Sequence, residues 1–325
     1  MIEAWTLQQA ATLKPDFEAR ARHGFIRECH GDLHLENLLV QDGKFIPFDA
    51  IEFNHELRWI DTANDIAFLA MDLMARGHEG LAYSLLNAWL EDTGDYDSLT
   101  VMCFYLVYRS MVRAVVTSIR QQQRSGRSND SFRINAPAYV GLAATLVDTP
   151  PPTLYLMHGF SGSGKTWASD RLVGKFRALR VRSDLERKRL DGLSVRQSAV
   201  GRIESGLYSP GVTDQTYRAL ARFCETGLRS GFNMIADATF LRSRYRDLFA
   251  GVAAASGARL VILDCAAPMP VLRDRIRARQ AGERDASDAD LAVLEHQLTH
   301  HDPLSASEQA LTQTIDSERG INASG

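Results

Sequence analysis

The sequence predicts an α/β protein in which a doubly wound parallel sheet forms the C-terminal half and a mainly helical region precedes it. Three observations carry this reading. Beyond residue 152, short apolar runs alternate with amphipathic stretches, the signature of strand-helix units. A glycine-rich segment, residues 159–166, joins the first such run to the first such stretch. Upstream, Asp148-Thr149-Pro150-Pro151-Pro152 forms a stiff break after a helical apolar pattern.

Taken in order, the predicted strands cover residues 154–158, 179–182, 232–236, 259–263 and 312–315. Helices are predicted over 166–176, 213–229, 242–255, 269–280 and 288–300, with Ser287 as the N-cap of the last. Ligands of such sheets bind at the carboxyl ends of the strands. The Pro-rich break places residues 1–148 in one domain, 149–152 in a linker and 153–325 in a second domain. Within the first domain, the polar stretch 121–130 reads as a loop, because 136–147 resumes a helical apolar pattern.

The chain has 325 residues, 45% hydrophobic and 24% charged, which suits a globular protein of two domains. No run of eighteen apolar residues and no secretion leader is evident, so neither a membrane span nor a secretion signal is expected, and a cytoplasmic location is. Cys29, Cys103, Cys224 and Cys265 lie far apart without a CxxC pair, which points to buried free thiols rather than disulfides or zinc. Residues 1–150 hold 13 Lys/Arg against 20 Asp/Glu, and the remainder 24 against 20. That basic surplus fits a domain that handles phosphate. Without interleaved aromatic residues it does not indicate general nucleic-acid binding.

Residues 159–166 read GFSGSGKT, a phosphate-binding loop in strand-to-helix context. Gly159, Gly162 and Gly164 let the backbone curl so that its N–H groups, those of Ser161 and Ser163 included, face an anion, and the following helix adds its positive end. Lys165 is expected to reach the terminal phosphates, and the Thr166 hydroxyl suits Mg2+. Nucleotide-dependent phosphoryl transfer or hydrolysis is implied.

The second strand runs into Arg182-Ser183-Asp184-Leu185-Glu186-Arg187, so Asp184 and Arg187 stand one helical turn apart at the rim that carries the loop. A carboxylate there can accept a proton from an attacking hydroxyl, and the arginine can hold a substrate phosphate or developing charge. A capping Asp with a surface Arg is the structural alternative. Asp237 closes the third strand, placed for Mg2+, its water or the acceptor, or else for an Asx turn. Residues 272–284 are arginine-rich and read as a lid that would close over the phosphates and exclude water. Arg279 and Arg284 are the expected lid arginines, with Arg275 and Arg277 not separable from them.

With these residues in place, 159–320 resembles the small P-loop kinases that include polynucleotide 5'-kinases, zeta toxins and gluconate-kinase-like proteins. In polynucleotide kinases an Asp-x-x-Arg after the second strand supplies a general base and a substrate-phosphate arginine, which implies those roles for Asp184 and Arg187. The resemblance implies ATP and Mg2+ as cofactors, since the Asn-Lys-x-Asp pattern of GTPases is absent. The acceptor is left open as a small molecule or a nucleotide-like one, with nucleic acid entering only as a 5'-end.

Upstream, His30-Gly31-Asp32-Leu33-His34-Leu35-Glu36-Asn37 and the following Phe45-Ile46-Pro47-Phe48-Asp49 resemble segments of kinase-like enzymes of the aminoglycoside phosphotransferase class. The resemblance implies a base role for Asp32 and metal roles for Asn37 and Asp49. Fewer than thirty residues precede His30, so no N-terminal nucleotide-binding lobe fits there and the site is expected to be degenerate. Glu52 departs from the Asp-Phe-Gly of protein kinases. The whole resembles bacterial fusions of such a domain with a P-loop kinase, here truncated at the start and short of a last helix. A nucleotide-dependent switch or an inactive remnant are the competing readings.

Overall fold

The computed structural model describes residues 1–123, 135–193, 210–280 and 291–316. Two compact units emerge: Met1–Leu86 with Asp95–Pro150, and Asn87–Gly94 with Pro151–Gly325.

The first unit is mainly helical. Helices Ile2–Thr12 and Lys14–Arg22 lead to the short strand β1, Ile26–Glu28. A hairpin of β2, Leu38–Gln41, and β3, Lys44–Pro47, turns at Asp42-Gly43, both with positive φ, as a two-residue turn requires. Strand β4, Trp59–Asp61, returns antiparallel to β1. The core then forms between helices Thr62–Ala75, Leu99–Gln123 and Ala136–Val147, where Phe68, Met71, Met102, Leu106 and Tyr139 are buried. Asp61 caps the first of these, accepting from the Ala63 N–H at 2.9 Å. Buried Arg20 grips that same carboxylate and Asp95. Asp65 accepts the backbone N–H groups of His30 and Gly31. Both Asp61 and Asp65 therefore serve structure.

One segment departs from expectation. Residues Tyr96–Gln123 are helical, long and apolar enough by length and composition to cross a membrane, with a mean hydropathy of 1.5. Just over half of its most apolar eighteen-residue window, 56%, is buried within the protein, so one side of it serves as core while Tyr108, Val115 and Ile119 are exposed. Arg109 and Arg113 are also buried along it and meet polar partners, Asn64 and Tyr139 among them.

The second unit holds a five-stranded parallel sheet: β5 Thr153–His158, β6 Ala178–Arg182, β7 Asn233–Asp237, β8 Arg259–Ala266 and β9 Thr312–Asp316. Their order is β6-β7-β5-β8-β9, with β5 central and paired from Thr153↔Arg259 to His158↔Asp264. The chain leaves β5 towards β6 and later crosses to β8 on the other side, which makes the end of β5 a switch point. Strands of such a sheet are covered on both faces and read as continuous apolar runs. Accordingly Leu154, Leu156, Met157, Leu179, Val181, Ile235 and Ile262 are buried.

The predicted doubly wound α/β fold is thus present, its strands within one to three residues of expectation. Helices Lys165–Phe176, Pro210–Arg229, Ser243–Ala255, Met269–Gln280 and Leu291–Thr299 match the predicted ones, and Ser183–Leu190 follows β6 directly. Ser287 lies outside the described residues. All four cysteines are free, Cys224 and Cys265 buried and the other two half-buried.

Candidate functional site

The phosphate loop leaves β5 through Gly159, whose N–H bonds the Thr239 carbonyl at 3.2 Å. Gly159 has a φ of 136°, and a Cβ there would lie 2.6 Å from the Cys265 carbonyl oxygen. Gly162, at φ 82°, would bring a Cβ to 2.8 Å from the Leu272 carbonyl. Only glycine fits either position. Gly164 begins the helix Lys165–Phe176, so its first-turn N–H groups and positive dipole end face the loop's hollow. Lys165 folds its ammonium back onto the Gly159 and Phe160 carbonyls, at 2.9 and 2.8 Å.

A cleft of about 830 Å³ opens beside this loop. Lys165, Thr166, Asp184, Arg187 and Asp237 all line it, although 72 residues separate Lys165 from Asp237 in the chain. Ser161, Gly162 and Gly164 line it too, whereas Gly159 and Ser163 face a second hollow beyond the loop. Asp184 sits in the first turn of Ser183–Leu190, where a helix favours negative charge. Arg187 lies one turn on, 3.4 Å from the Asp184 carboxylate, and is the more buried of the two. The expected juxtaposition is therefore present as an ion pair.

Asp237 ends β7 with 5% of its surface exposed. Ser169 donates to its carboxylate at 2.9 Å, and Arg180 approaches to 4.0 Å. Arg180 is buried in β6. Burial disfavours its charge, but Glu91, Asp237 and Asp170 outweigh this and raise its pKa. Asp237 therefore keeps a charged neighbour out of water's reach. Thr166 and Asp237 offer hard oxygen donors to one cleft, which suits Mg2+; no group of three or more His, Cys, Asp or Glu able to hold a metal occurs among the described residues. A cation here would complete its shell from phosphate and water, as Mg2+ does in nucleotide sites.

The lid arginines divide. Arg275 lines the cleft and donates to the Gly162 carbonyl at 3.3 Å. Arg277 is exposed and pairs with Asp274. Arg279 lies on the helix Met269–Gln280, but its side chain falls outside the described residues, as does Arg284. The same helix also has a core role, with Leu272 and Ile276 buried against Leu294.

Three contributors had no individual role assigned from the sequence, Arg180 entering only as part of the basic surplus around the second strand. Ser169 carried a signal, one turn beyond Thr166 on the same helix face. Arg180 carried one too, as an arginine inside an apolar strand. Gln297 carried none, yet its carboxamide meets the phosphate loop at Ser161.

In the first unit, Asn37 donates to the Asp32 carboxylate at 3.1 Å and to its carbonyl at 3.0 Å. Burial opposes ionisation of Asp32, but His34, Arg113 and Asn37 together hold its pKa below the usual range. Asp49 is exposed with a φ of 60°, just past β3.

Fold and loop define a P-loop domain, and residues 154–304 match the family model described as an AAA domain. Among curated proteins, an uncharacterized protein of Mycobacterium tuberculosis and one of Mycobacterium bovis are each 30% identical over 278 residues. The match covers 86% of this chain and 55% of each relative, so the chain spans about half the length of the curated relatives it matches. Among solved structures, a putative kinase from Chloroflexus aurantiacus is 22% identical, covering 53% of this chain and 93% of that one, with a TM-score of 0.40. A sugar kinase from Janibacter is 18% identical, covering 51% and 86%, with a TM-score of 0.39. A gluconokinase from Sinorhizobium meliloti is 18% identical, covering 52% and 84%, with a TM-score of 0.34.

Proposed function

We propose that the second unit is an ATP-dependent kinase that transfers the γ-phosphate of MgATP to a hydroxyl of a small-molecule or nucleotide-like acceptor. The observation that carries this is the convergence of Lys165, Thr166, Asp184, Arg187 and Asp237 on one cleft at the strand ends. A phosphate-binding loop alone serves switches and hydrolases equally well. A carboxylate paired with an arginine one helical turn on, both lining the same cleft, is what a hydroxyl acceptor needs.

In this reading Lys165 and the loop N–H groups bind the phosphates, except those of Ser161 and Ser163, which, contrary to expectation, donate to Gln297 and to the Phe160 carbonyl, while Thr166 and Asp237 hold Mg2+. The cation bridges phosphate oxygens and offsets their charge. Asp184 accepts the acceptor's proton, and Arg187, 3.4 Å from that carboxylate, orients an anionic group of the acceptor. Among the lid arginines whose side chains are described, Arg275 rather than Arg277 suits the role, because it reaches Gly162.

The fused arrangement is part of the proposal: residues 1–148 as a kinase-like C-lobe fragment, 149–152 as linker and 153–325 as the kinase. Asp32 and Asn37 keep a hydrogen-bonded pair there.

Asp184→Asn tests the reading. The variant is expected to bind MgATP as the wild type does and to lose transfer to acceptors, screened as polynucleotide 5'-ends, sugar acids, nucleotide sugars and aminoglycosides by ADP release. Full activity in the variant would overturn the base assignment. Failure of the folded wild type to bind MgATP would overturn the kinase.

A further inference from the structure

Ser161, the third residue of the phosphate loop, is held from outside the loop. The Gln297 carboxamide oxygen accepts its backbone N–H at 2.9 Å, and the carboxamide nitrogen donates to its hydroxyl at 3.0 Å. Two parallel bonds to one residue fix both the peptide plane and the side-chain rotamer, a geometry a single bond does not impose. Ser161 is 7% exposed, so these bonds form largely out of water, where a lost partner is expensive.

Gln297 stands on the helix Leu291–Thr299, which is itself anchored. Leu294, one turn earlier, is fully buried against Leu272 and Ile276 of Met269–Gln280. That second helix touches the next loop residue, since Arg275 donates to the Gly162 carbonyl and the Leu272 backbone packs against Gly162. Two packed helices thus grip consecutive loop residues, one through a side-chain amide and one through a guanidinium and a close backbone approach. The loop's shape follows the docking of this helix pair.

We propose that Gln297 is a positioning residue for phosphoryl transfer, one that locks Ser161 and so sets the phosphate loop in its reactive shape when the helix pair is docked. The inference rests on the kinase reading of the same cleft. Gln297 acts through Ser161, so its loss should be felt in turnover more than in nucleotide affinity, which the remaining N–H groups and Lys165 supply.

The experiment is a double-mutant cycle on the full chain with Gln297→Leu and Ser161→Ala, reading MgATP affinity by calorimetry, ADP release and thermal midpoint. Gln297→Leu is expected to change the MgATP Kd by less than about threefold while lowering turnover about tenfold. In the Ser161→Ala background the same change should lower turnover by only about threefold, because half of the clamp is already gone. A raised Kd with unchanged turnover, or an effect just as large in the Ser161→Ala background, would overturn the inference. A fall in thermal midpoint alone would do the same and leave Gln297 a packing residue. Lys165→Ala separates the two proposals. If it weakens nucleotide binding about tenfold or more while Gln297→Leu behaves as wild type, only this inference falls; if the wild type neither binds MgATP nor releases ADP, both fall.

Discussion

Ser169 donates its hydroxyl to Asp237 at 2.9 Å, and Arg180 donates to that same hydroxyl oxygen at 2.7 Å. The helix that follows the phosphate loop therefore presents Thr166 to the cleft and, one turn later, secures the carboxylate that ends β7. Asp237 is buried and held by neighbours that do not line the cleft themselves. A carboxylate so held can serve a cation without first being reoriented.

Ser169→Ala removes this support while adding no volume. Hydrogen bonds to charged groups contribute about 1.5–3 kcal/mol, so a fall in turnover of roughly tenfold or more is expected together with a modest loss of stability. Titrating ADP release against Mg2+ reads the effect, and the half-saturating Mg2+ concentration should rise. An unchanged Mg2+ titration would mean that Asp237 does not serve the cation.

Gly159→Ala tests the loop's backbone. The new methyl would press on the Cys265 carbonyl at 2.6 Å and the Ser163 hydroxyl at 2.8 Å, in a conformation with positive φ. Left-handed backbone alone costs a side-chain-bearing residue about 1–2 kcal/mol, and the clash adds to that. Loss of nucleotide binding is expected, with a lower thermal midpoint. A variant that titrates fluorescent ATP like the wild type would show that the loop is not the nucleotide's seat.

Much of this site was legible because its parts are local. The loop's glycines, the strand before it and the Asp184-x-x-Arg187 spacing each lie within a few residues, so motif and periodicity expose them. Asp237 was legible at longer range because strand ends in a parallel sheet share one rim. Gln297 was not, since its contact with Ser161 spans 136 residues and depends on how two helices dock. The helix Tyr96–Gln123 shows the converse: its composition admits a membrane span, and only its packing identifies it as core. Among the lid arginines, spacing gave no ground for choosing, because selection depends on which face of Met269–Gln280 turns towards Gly162.

Lys165→Ala should separate binding from folding. The ammonium bonds two loop carbonyls that are themselves held in place by the glycine turns, so stability should change little. Removing a phosphate-reaching charge worth about 1.5–3 kcal/mol should weaken MgATP binding about tenfold to a hundredfold. Calorimetry beside a melting curve checks both. Wild-type affinity in the variant would exclude Lys165 from the phosphates.

Acid should loosen the segment 302–308, through Glu308. Arg246, 2% exposed, donates to Phe240, Asp302 and Pro303 carbonyls and to the Glu308 carboxylate, tying residues 302–308 to the helix Ser243–Ala255. That guanidinium, helped by the Ser305 N–H, pulls the Glu308 pKa down to about 2 despite the opposing effect of burial. A depressed carboxylate pKa stabilises the fold above the unfolded value of 4.5, and that contribution is lost as pH falls from about 4.5 to about 2. Glu308→Gln keeps the shape and removes the charge. Because solvent reaches this carboxyl, the variant should be about 1 kcal/mol less stable at neutral pH rather than the larger figure the shift alone would give. The gap between wild type and variant in urea unfolding should close as pH drops through that window. A gap that persists at pH near 2, or that widens on acidification, would show that the Arg246–Glu308 pair does not carry the acid sensitivity.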